Sequence, residues 1–340
     1  MVKRPPVPPL PPWLRAGLSL LAVAALVLAI RPTPLVVTFG PRQAVTTTAP
    51  ILGVHTRLTD EVEEWKIQAS LRMVREMGAP WIVEFFPWAY YQAADGSVAW
   101  EHPDQVVGHA EANGLTIIAR LGYTPDWARP AASFDPARSE RCFTLAMTDY
   151  VALLRVVYPA VKAANPDMVV LAGALAPNLE PAGSPWAVND LDYLRGMYAA
   201  GAADYFDGLA VHAYGLTFPP EAAPGPELLN FRRVEVVREI MVANDDAATP
   251  IYVTESGWND HPRWTMAVRP AQRIQYTLAA LDYAAAHWPY VRVVALWAFR
   301  YPAPTRSYPD YYTLVTPEFV AKPLYDALRD YSGNGGAPPS

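Results

Sequence analysis

The chain has 340 residues and a formal net charge of −6, with 52% hydrophobic and 18% charged residues, which is typical of globular proteins and excludes intrinsic disorder. Lys and Arg form no basic runs, so the charge pattern does not indicate nucleic-acid binding. Cys142 is the only cysteine, which excludes an internal disulfide and a cysteine-rich metal site. The six histidines lack zinc-site spacing, and we expect neither a metal nor a cofactor.

The first thirty residues predict where the protein is located. Lys3, Arg4 and Arg15 precede the 15-residue uncharged run Ala16–Ile30, as the basic and apolar regions of an export signal do. The run is shorter than the about 20 residues of a usual membrane-spanning helix, but no small-x-small cleavage site follows it. We expect residues 1–30 to be a cytoplasmic Pro-rich start and an uncleaved signal anchor, with a cleaved signal peptide as the alternative. In both cases the rest of the chain lies outside the cytoplasm, anchored to the membrane or secreted.

Repeated βα units follow this N-terminal segment. Residues 31–50 are rich in Pro and Thr and are interpreted as a linker. From residue 51, short β-rich apolar segments alternate with longer segments of helical periodicity. The predicted strands are Ile51–His55, Trp81–Phe86, Thr116–Gly122, Met168–Ala174, Gly208–Tyr214, Ile251–Ser256 and Val291–Phe299. Helices are predicted from Thr59 or Asp60 to Met77 and at Pro103–Asn113, Thr148–Asn165, Asp190–Ala200, Arg232–Asn244, Pro270–Trp288 and Pro323–Tyr331.

This alternation predicts an α/β fold of the TIM (β/α)8 type over residues 51–331, followed by a disordered Gly/Pro-rich tail at 332–340. Seven strands are recognisable, so the barrel is one βα unit short. The gap lies at Ala128–Met147, where Cys142–Met147 is the only apolar run.

Strand number, tilt and stagger are linked in a barrel, so a barrel that lacks one βα unit cannot close in the same way as one with eight strands. We expect Thr116–Gly122 and Met168–Ala174 either to have a breach between them or to be bridged by an irregular segment. If Cys142–Met147 formed a substitute strand, Glu140 and Asp149 would be the acid candidates beside it.

Polar residues that end the predicted strands indicate the functional site, because α/β barrels place their active sites at the carboxyl ends of the strands. Glu255 ends the sixth predicted strand, beside Trp258. A buried carboxylate is costly unless paired, so a salt bridge to an arginine is the alternative to a functional role for Glu255. His212 and Tyr214 are two residues apart on the preceding strand and share one face. Trp297 lies on the last strand.

Aromatic residues are frequent in the segments that follow the same strand ends. Sugar rings have apolar C–H faces that stack on aromatic rings, and hydroxyls that bond to carboxylates, Asn, His and Arg. The strand ends therefore indicate a carbohydrate-binding cleft. The aromatic residues concerned are Trp88, Tyr90, Tyr91, Trp264, Tyr301, Tyr308, Tyr311 and Tyr312.

Four segments are specific when they are taken together and in order: they are Trp81–Trp88, Ile117–Ala128, His212–Gly215 and Thr254–Trp258. They resemble clan A glycoside hydrolases of families 39 and 5, and the resemblance covers nearly all of residues 51–331. It implies a (β/α)8 barrel, a carbohydrate substrate and a retaining mechanism in which two glutamates about 5 to 5.5 Å apart act as nucleophile and acid/base.

The resemblance also assigns roles to individual residues. It places the nucleophile on Glu255, with His212 and Tyr214 orienting the carboxylate and Trp297 forming the floor of the sugar subsite. The further substrate-binding candidates are Trp258, Glu84, Trp88 and Arg120. For Glu84, which lies within a strand, the alternative is a buried salt bridge to Arg120.

The proton donor is where the sequence departs from the family. The family's acid/base glutamate follows an asparagine at the end of the fourth strand, and this chain contains no Asn-Glu dipeptide. The apparently deleted βα unit is the one that would carry it. Asp126 and Glu180 are weak replacement candidates, each with an ordinary loop carboxylate as the alternative.

The leading hypothesis is therefore an extracytoplasmic glycoside hydrolase that cleaves a β-linked glycan by double displacement through Glu255. A catalytically inactive carbohydrate-binding protein that kept the cleft and lost the acid is the first alternative. The second is a truncated gene product that folds poorly. The expected partners are a carbohydrate and, through the N-terminal helix, a membrane, but not a nucleic acid.

Overall fold

The structure, a computed structural model, describes residues 11–29, 39–128 and 147–333. The chain divides into two units, Met1–Thr38 and Phe39–Ser340. In the first unit, helix α1 spans Pro12–Ala29. Among the described residues, no helix is both long enough and apolar enough to cross a membrane. The predicted signal anchor therefore stays a prediction.

In the second unit, strands and helices alternate along the chain, as expected for βα units. The strands are β1 (Leu52–His55), β2 (Trp81–Pro87), β3 (Thr116–Gly122), β4 (Leu171–Leu175), β5 (Gly208–Tyr214), β6 (Ile251–Gly257) and β7 (Val291–Leu296). The helices are α2 (Glu64–Glu76), α3 (Trp88–Tyr91), α4 (Glu101–Ala112), α5 (Met147–Ala164), α6 (Asp190–Ala199), α7 (Arg233–Ala243), α8 (Pro270–His287) and α9 (Pro323–Gly333).

Local sequence signals set several of these helix ends. The Asn189 side chain accepts a hydrogen bond from the Leu191 amide and caps the start of α6. Helix α8 begins with Pro270, whose fixed φ suits the first helical position. After α2, Gly78 has a φ of +79°, a left-handed conformation that favours glycine and ends the helix.

The seven strands form one parallel sheet in the order β3-β2-β1-β7-β6-β5-β4. This order is that of a nearly closed barrel, and it confirms the prediction of seven parallel strands. Strands β3 and β4 are the two ends of the order, and no pairing joins them in the described part of the chain. This agrees with the predicted gap between the two strands, while the segment that would bridge it, residues 129–146, lies outside the described residues. Apart from Met147, where α5 begins, the segment Cys142–Met147 lies outside the described residues, as does Glu140.

Helix α5 covers part of the β4 edge. The Tyr150 hydroxyl lies 2.6 Å from the Gly173 amide nitrogen and accepts its hydrogen bond. An edge strand presents backbone donors that lack a neighbouring strand as partner. Burial raises the pKa of Tyr150. A side chain of the preceding helix therefore satisfies an amide of the edge strand β4.

Residues 39–50, the second part of the predicted linker, pack on the barrel. The Phe39 ring lies edge-on to the ring of His109, with 4.9 Å between their centroids. The Gln43 amide donates to the Ala112 carbonyl, and the Thr48 amide and hydroxyl both donate to the carbonyl of Ser332. A fragment meant to contain the intact barrel should therefore begin at residue 39.

Candidate active site

Glu255 lies on β6 and is held by a residue of the neighbouring strand β5 and by a residue of the distant edge strand β3. Its side chain is buried, and Tyr214 on β5 donates a 2.8 Å hydrogen bond to Oε2. Arg120 on the edge strand β3 places Nη1 2.5 Å from Oε1. A buried carboxylate needs such partners, and the guanidinium offsets part of the cost of its charge. The salt bridge that the sequence left as an alternative is thus present, within a group that also includes Tyr214.

Tyr214 and His212 contact the same carboxylate oxygen in different ways. Burial, and next the charge of Glu255, raise the pKa of Tyr214, so its hydroxyl remains a donor. Burial lowers the pKa of His212 to about 4, although the Glu255 charge opposes this shift. His212 is therefore neutral near pH 7. Its Nδ1 lies 3.5 Å from Oε2, which is too long for a strong hydrogen bond.

Trp297 and His55 form an adjacent part of the barrel interior. Trp297 directly follows β7, and its indole N–H donates to the Tyr301 hydroxyl at 2.9 Å. The Trp297 and His55 ring centroids are 4.4 Å apart. Burial, and next the charge of Arg120, lower the pKa of His55 to about 3, so its ring is neutral.

The tautomer of His55 follows from its contacts. Nδ1 lies 2.8 Å from the Thr56 carbonyl oxygen, which can only accept, so Nδ1 carries the proton. Nε2 is then an acceptor, and among the described residues it has no hydrogen-bond partner.

No family model matches the sequence, and no curated protein matches it. Solved structures do match. A family 39 glycoside hydrolase from Bacteroides cellulosilyticus superposes with a TM-score of 0.65 at 20% identity, over 86% of this chain and 65% of that one. This chain therefore spans less than two thirds of that protein's length.

Two further matches extend the comparison. A monomeric β-xylosidase from Caulobacter crescentus has a TM-score of 0.56 at 17% identity, covering 86% of this chain and 69% of that chain. A family 5 subfamily 18 protein from Bifidobacterium longum, in complex with Manβ1-4GlcNAc, has a TM-score of 0.54 at 13% identity, covering 83% and 78%. The fold is that of the clan A glycoside hydrolases. The resemblance found in the sequence is confirmed at this level.

Both carboxylate oxygens of Glu84 accept hydrogen bonds from the loop that follows β1. Oε2 accepts from the Thr56 hydroxyl at 2.6 Å and the Leu58 amide at 3.0 Å, while Oε1 accepts from the Thr59 amide at 3.0 Å. Burial raises the pKa of Glu84. The predicted alternative of a salt bridge with Arg120 is wrong, because Arg120 pairs with Glu255. Glu84 instead fixes the loop beside His55.

Trp258 was predicted to bind substrate, but it is a core residue. Its side chain is almost fully buried, and its indole N–H donates to the Phe218 carbonyl at 2.8 Å. A Cβ at Gly215 would lie 1.9 Å from Trp258 Cε2, so this glycine leaves room for the indole. With its ring buried in the core, Trp258 has almost no exposed surface for a substrate.

Other predicted aromatic residues pack against one another near Tyr214. The Tyr214 and Tyr312 ring centroids are 5.5 Å apart. Trp264 stacks on Tyr308, with 4.8 Å between the ring centroids. The Trp264 and Tyr312 rings are steeply inclined to each other, with 6.3 Å between their centroids. These residues come from the segments that follow β6 and β7, as the sequence indicated.

The acid/base candidates do not join Glu255. Asp126 is exposed in a short turn after β3, Asp149 is exposed on α5, and Glu180 accepts a 2.6 Å hydrogen bond from Ser184 in the loop after β4. Within the described ranges, the side chains bonded or ion-paired to Glu255 are an arginine, a tyrosine and a histidine. A second carboxyl is not part of this group.

His55 is the site residue that the sequence reasoning missed. It ends β1 in the same way that Glu255 lies near the end of β6, with the apolar residues Leu52 and Val54 before it. The rule that found Glu255, a polar residue at the carboxyl end of a buried strand, applies equally to His55.

Proposed function

We propose that this protein is a retaining glycoside hydrolase that acts on a β-linked glycan, with Glu255 as the nucleophile. The observation that carries the proposal is the buried Glu255 carboxylate at the carboxyl end of β6, held by Arg120 and Tyr214. The known proteins that share the fold, including a β-xylosidase, support the same reaction class.

In the proposed reaction, one Glu255 oxygen attacks the anomeric carbon. The bond from that carbon to the leaving oxygen breaks, and a glycosyl ester forms, which water then hydrolyses with overall retention. Arg120 and Tyr214 orient the carboxylate. Trp297 offers a ring face to the apolar side of the sugar.

Proton transfer limits this mechanism. General acid catalysis typically contributes about 10²- to 10⁴-fold, and no carboxyl is bonded to Glu255 among the described side chains. The first step should therefore depend strongly on how well the leaving group departs without a proton. Since no base is positioned beside Glu255 among the described residues, the second step should be slow.

We expect an initial burst of dinitrophenolate from 2,4-dinitrophenyl β-glycosides of xylose, glucose, mannose or N-acetylglucosamine. This leaving group needs little acid assistance, so Glu255 forms the ester quickly and water releases it slowly. Stopped-flow absorbance would give an amplitude close to one equivalent per protein for the matching sugar. The corresponding methyl glycosides should react far more slowly.

A catalytically inactive carbohydrate-binding protein is the second candidate. The residues grouped around Glu255, without a partner carboxyl among them, favour it over an enzyme of full activity. Absence of both burst and turnover with all four sugars, together with measurable sugar binding, would establish this alternative and refute hydrolysis.

The proposal extends to location: the barrel acts outside the cytoplasm, attached by residues 1–30. We expect full-length protein expressed in bacteria to sediment with membranes, and a variant that begins at Phe39 to stay in the supernatant. Immunoblots of the two fractions would measure this. Leu21→Arg combined with Leu26→Arg is the matched control, since it interrupts the apolar run without touching the barrel. Full-length protein in the soluble fraction would contradict the proposal.

A further inference from the structure

Four aromatic side chains cluster on the segments that follow β2 and β3. They are Trp88, Tyr90, Tyr123 and Trp127, each between 40% and 61% exposed, and together they are called the aromatic platform below. An exposed patch of large aromatic rings is unusual on a soluble surface and marks a binding region. The sequence singled out Trp88 and Tyr90, but not Tyr123 or Trp127.

Gln92 fixes the two indoles of the platform. Its side-chain oxygen accepts from Trp88 Nε1 at 2.5 Å, and its backbone carbonyl accepts from Trp127 Nε1 at 3.3 Å. The two rings are nearly perpendicular, with centroids 5.5 Å apart. Because the indole N–H groups bond within the protein, the exposed surface that remains is the apolar surface of the rings.

The two tyrosines form a second, linked pair. The Tyr90 and Tyr123 centroids lie 5.9 Å apart at an interplanar angle of 75°. The amide of Ala89, between Trp88 and Tyr90, donates to the Tyr123 carbonyl at 3.0 Å. Tyr123 has a φ of +58°, a conformation that a bulky residue adopts only where its surroundings hold it. The platform is therefore a fixed arrangement.

Strand β3 connects the platform to the candidate active site. Arg120, which pairs with Glu255, is three residues before Tyr123 on the same strand and its continuation. At the usual rise of a strand, this separation is about 10 Å. A single sugar beside Glu255 would not cover that distance, whereas a chain of sugars would.

We propose that the aromatic platform binds further sugar residues of an extended glycan, so that the preferred substrate is a β-linked oligosaccharide or polysaccharide, of which an activated single-sugar glycoside fills only the position beside Glu255. This inference rests on the proposed function. The ring faces match the apolar faces of sugars, and the tyrosine hydroxyls and Gln92 supply polar groups at the margin. Continuity with the Glu255 site favours a glycan over a protein partner.

Binding in the Glu255→Gln background tests the inference without hydrolysis. The probes are β-1,4-linked hexaoses and disaccharides of xylose, glucose, mannose and N-acetylglucosamine, measured by isothermal titration calorimetry. We expect at least one hexaose to bind about tenfold or more tightly than its disaccharide. Trp88→Ala and Trp127→Ala should each reduce that ratio towards one, and Trp127→Phe, which keeps a ring, should reduce it less.

Trp65→Ala is the matched control. Trp65 is 57% exposed on α2 and packs on Phe319, with centroids 5.7 Å apart, outside the platform. The control should leave the ratio unchanged, and thermal unfolding should confirm that every variant is folded. The inference is overturned if no hexaose exceeds its disaccharide, if the platform variants keep the full ratio, or if Trp65→Ala loses it equally. Hexaose binding that depends on the platform without any dinitrophenolate burst would refute hydrolysis alone.

Discussion

Replacing Glu255 with glutamine is expected to slow dinitrophenolate release by at least about 10³-fold and to remove the burst. The amide has nearly the same shape, and its oxygen can still accept from Tyr214 or Arg120. It cannot form the glycosyl ester, so the first bond-making step is lost. Steady-state rates and burst amplitudes for the two proteins, measured at the same pH, provide the comparison.

Glu76→Gln is the matched carboxyl-to-amide control, because Glu76 lies on the exposed side of α2 and pairs only loosely with Arg72, at 3.8 Å. It should retain the wild-type burst. Circular dichroism of both variants would exclude unfolding as the cause of a lost rate. Wild-type turnover in Glu255→Gln would show that a different residue is the nucleophile.

Sequence periodicity was sufficient for the strands and for one half of the site. His212 and Tyr214 were placed on one face because side chains alternate along a strand, and both do contact Glu255 on the neighbouring strand. Parallel β5 and β6 lie side by side, so the end of one strand is next to the end of the other. Such local rules fix the relation between adjacent strands.

Contacts between residues on distant strands and loops could not be predicted from sequence periodicity. Arg120 and Glu255 are 135 positions apart in sequence, and their pairing depends on how the sheet curves. Glu84 bonds to the backbone amides of Leu58 and Thr59, which no side-chain pattern reveals. Trp258 is buried because Gly215 leaves space for its ring, a packing relation between different segments.

The place of β3 at one end of the described strand order gives Arg120 its particular position. In a closed barrel, a strand beside β3 would carry further side chains towards Glu255. Here β3 ends the order of the sheet, and Arg120 reaches from this edge to the carboxylate while its own side chain stays half exposed. The same edge strand continues into the aromatic platform. The proposed cleft therefore joins a buried carboxylate to an exposed aromatic surface through one strand.

His55 is expected to make the protein less stable as the pH falls below about 6.5. Burial, and next the positive charge of Arg120, lower its pKa to about 3 in the folded state, against about 6.5 in the unfolded chain. Between these values the unfolded state binds a proton that the folded state does not. The free energy of unfolding therefore decreases as the pH falls, by up to about 1.4 kcal/mol per pH unit for this one group.

His55→Asn isolates this contribution, because the asparagine amide can still donate to the Thr56 carbonyl but does not titrate. Denaturant unfolding followed by tryptophan fluorescence between pH 3.5 and 8 would give the free energy of unfolding of both proteins. His212, whose pKa is lowered to about 4, and Glu84, whose pKa is raised, are present in both, so their contributions largely cancel in the difference. We expect wild type to lose a few kcal/mol relative to His55→Asn between pH 6.5 and 3.5. A difference independent of pH would mean that folding does not shift the pKa of His55, so that its ring takes up a proton below about pH 6.5 in the folded protein as well.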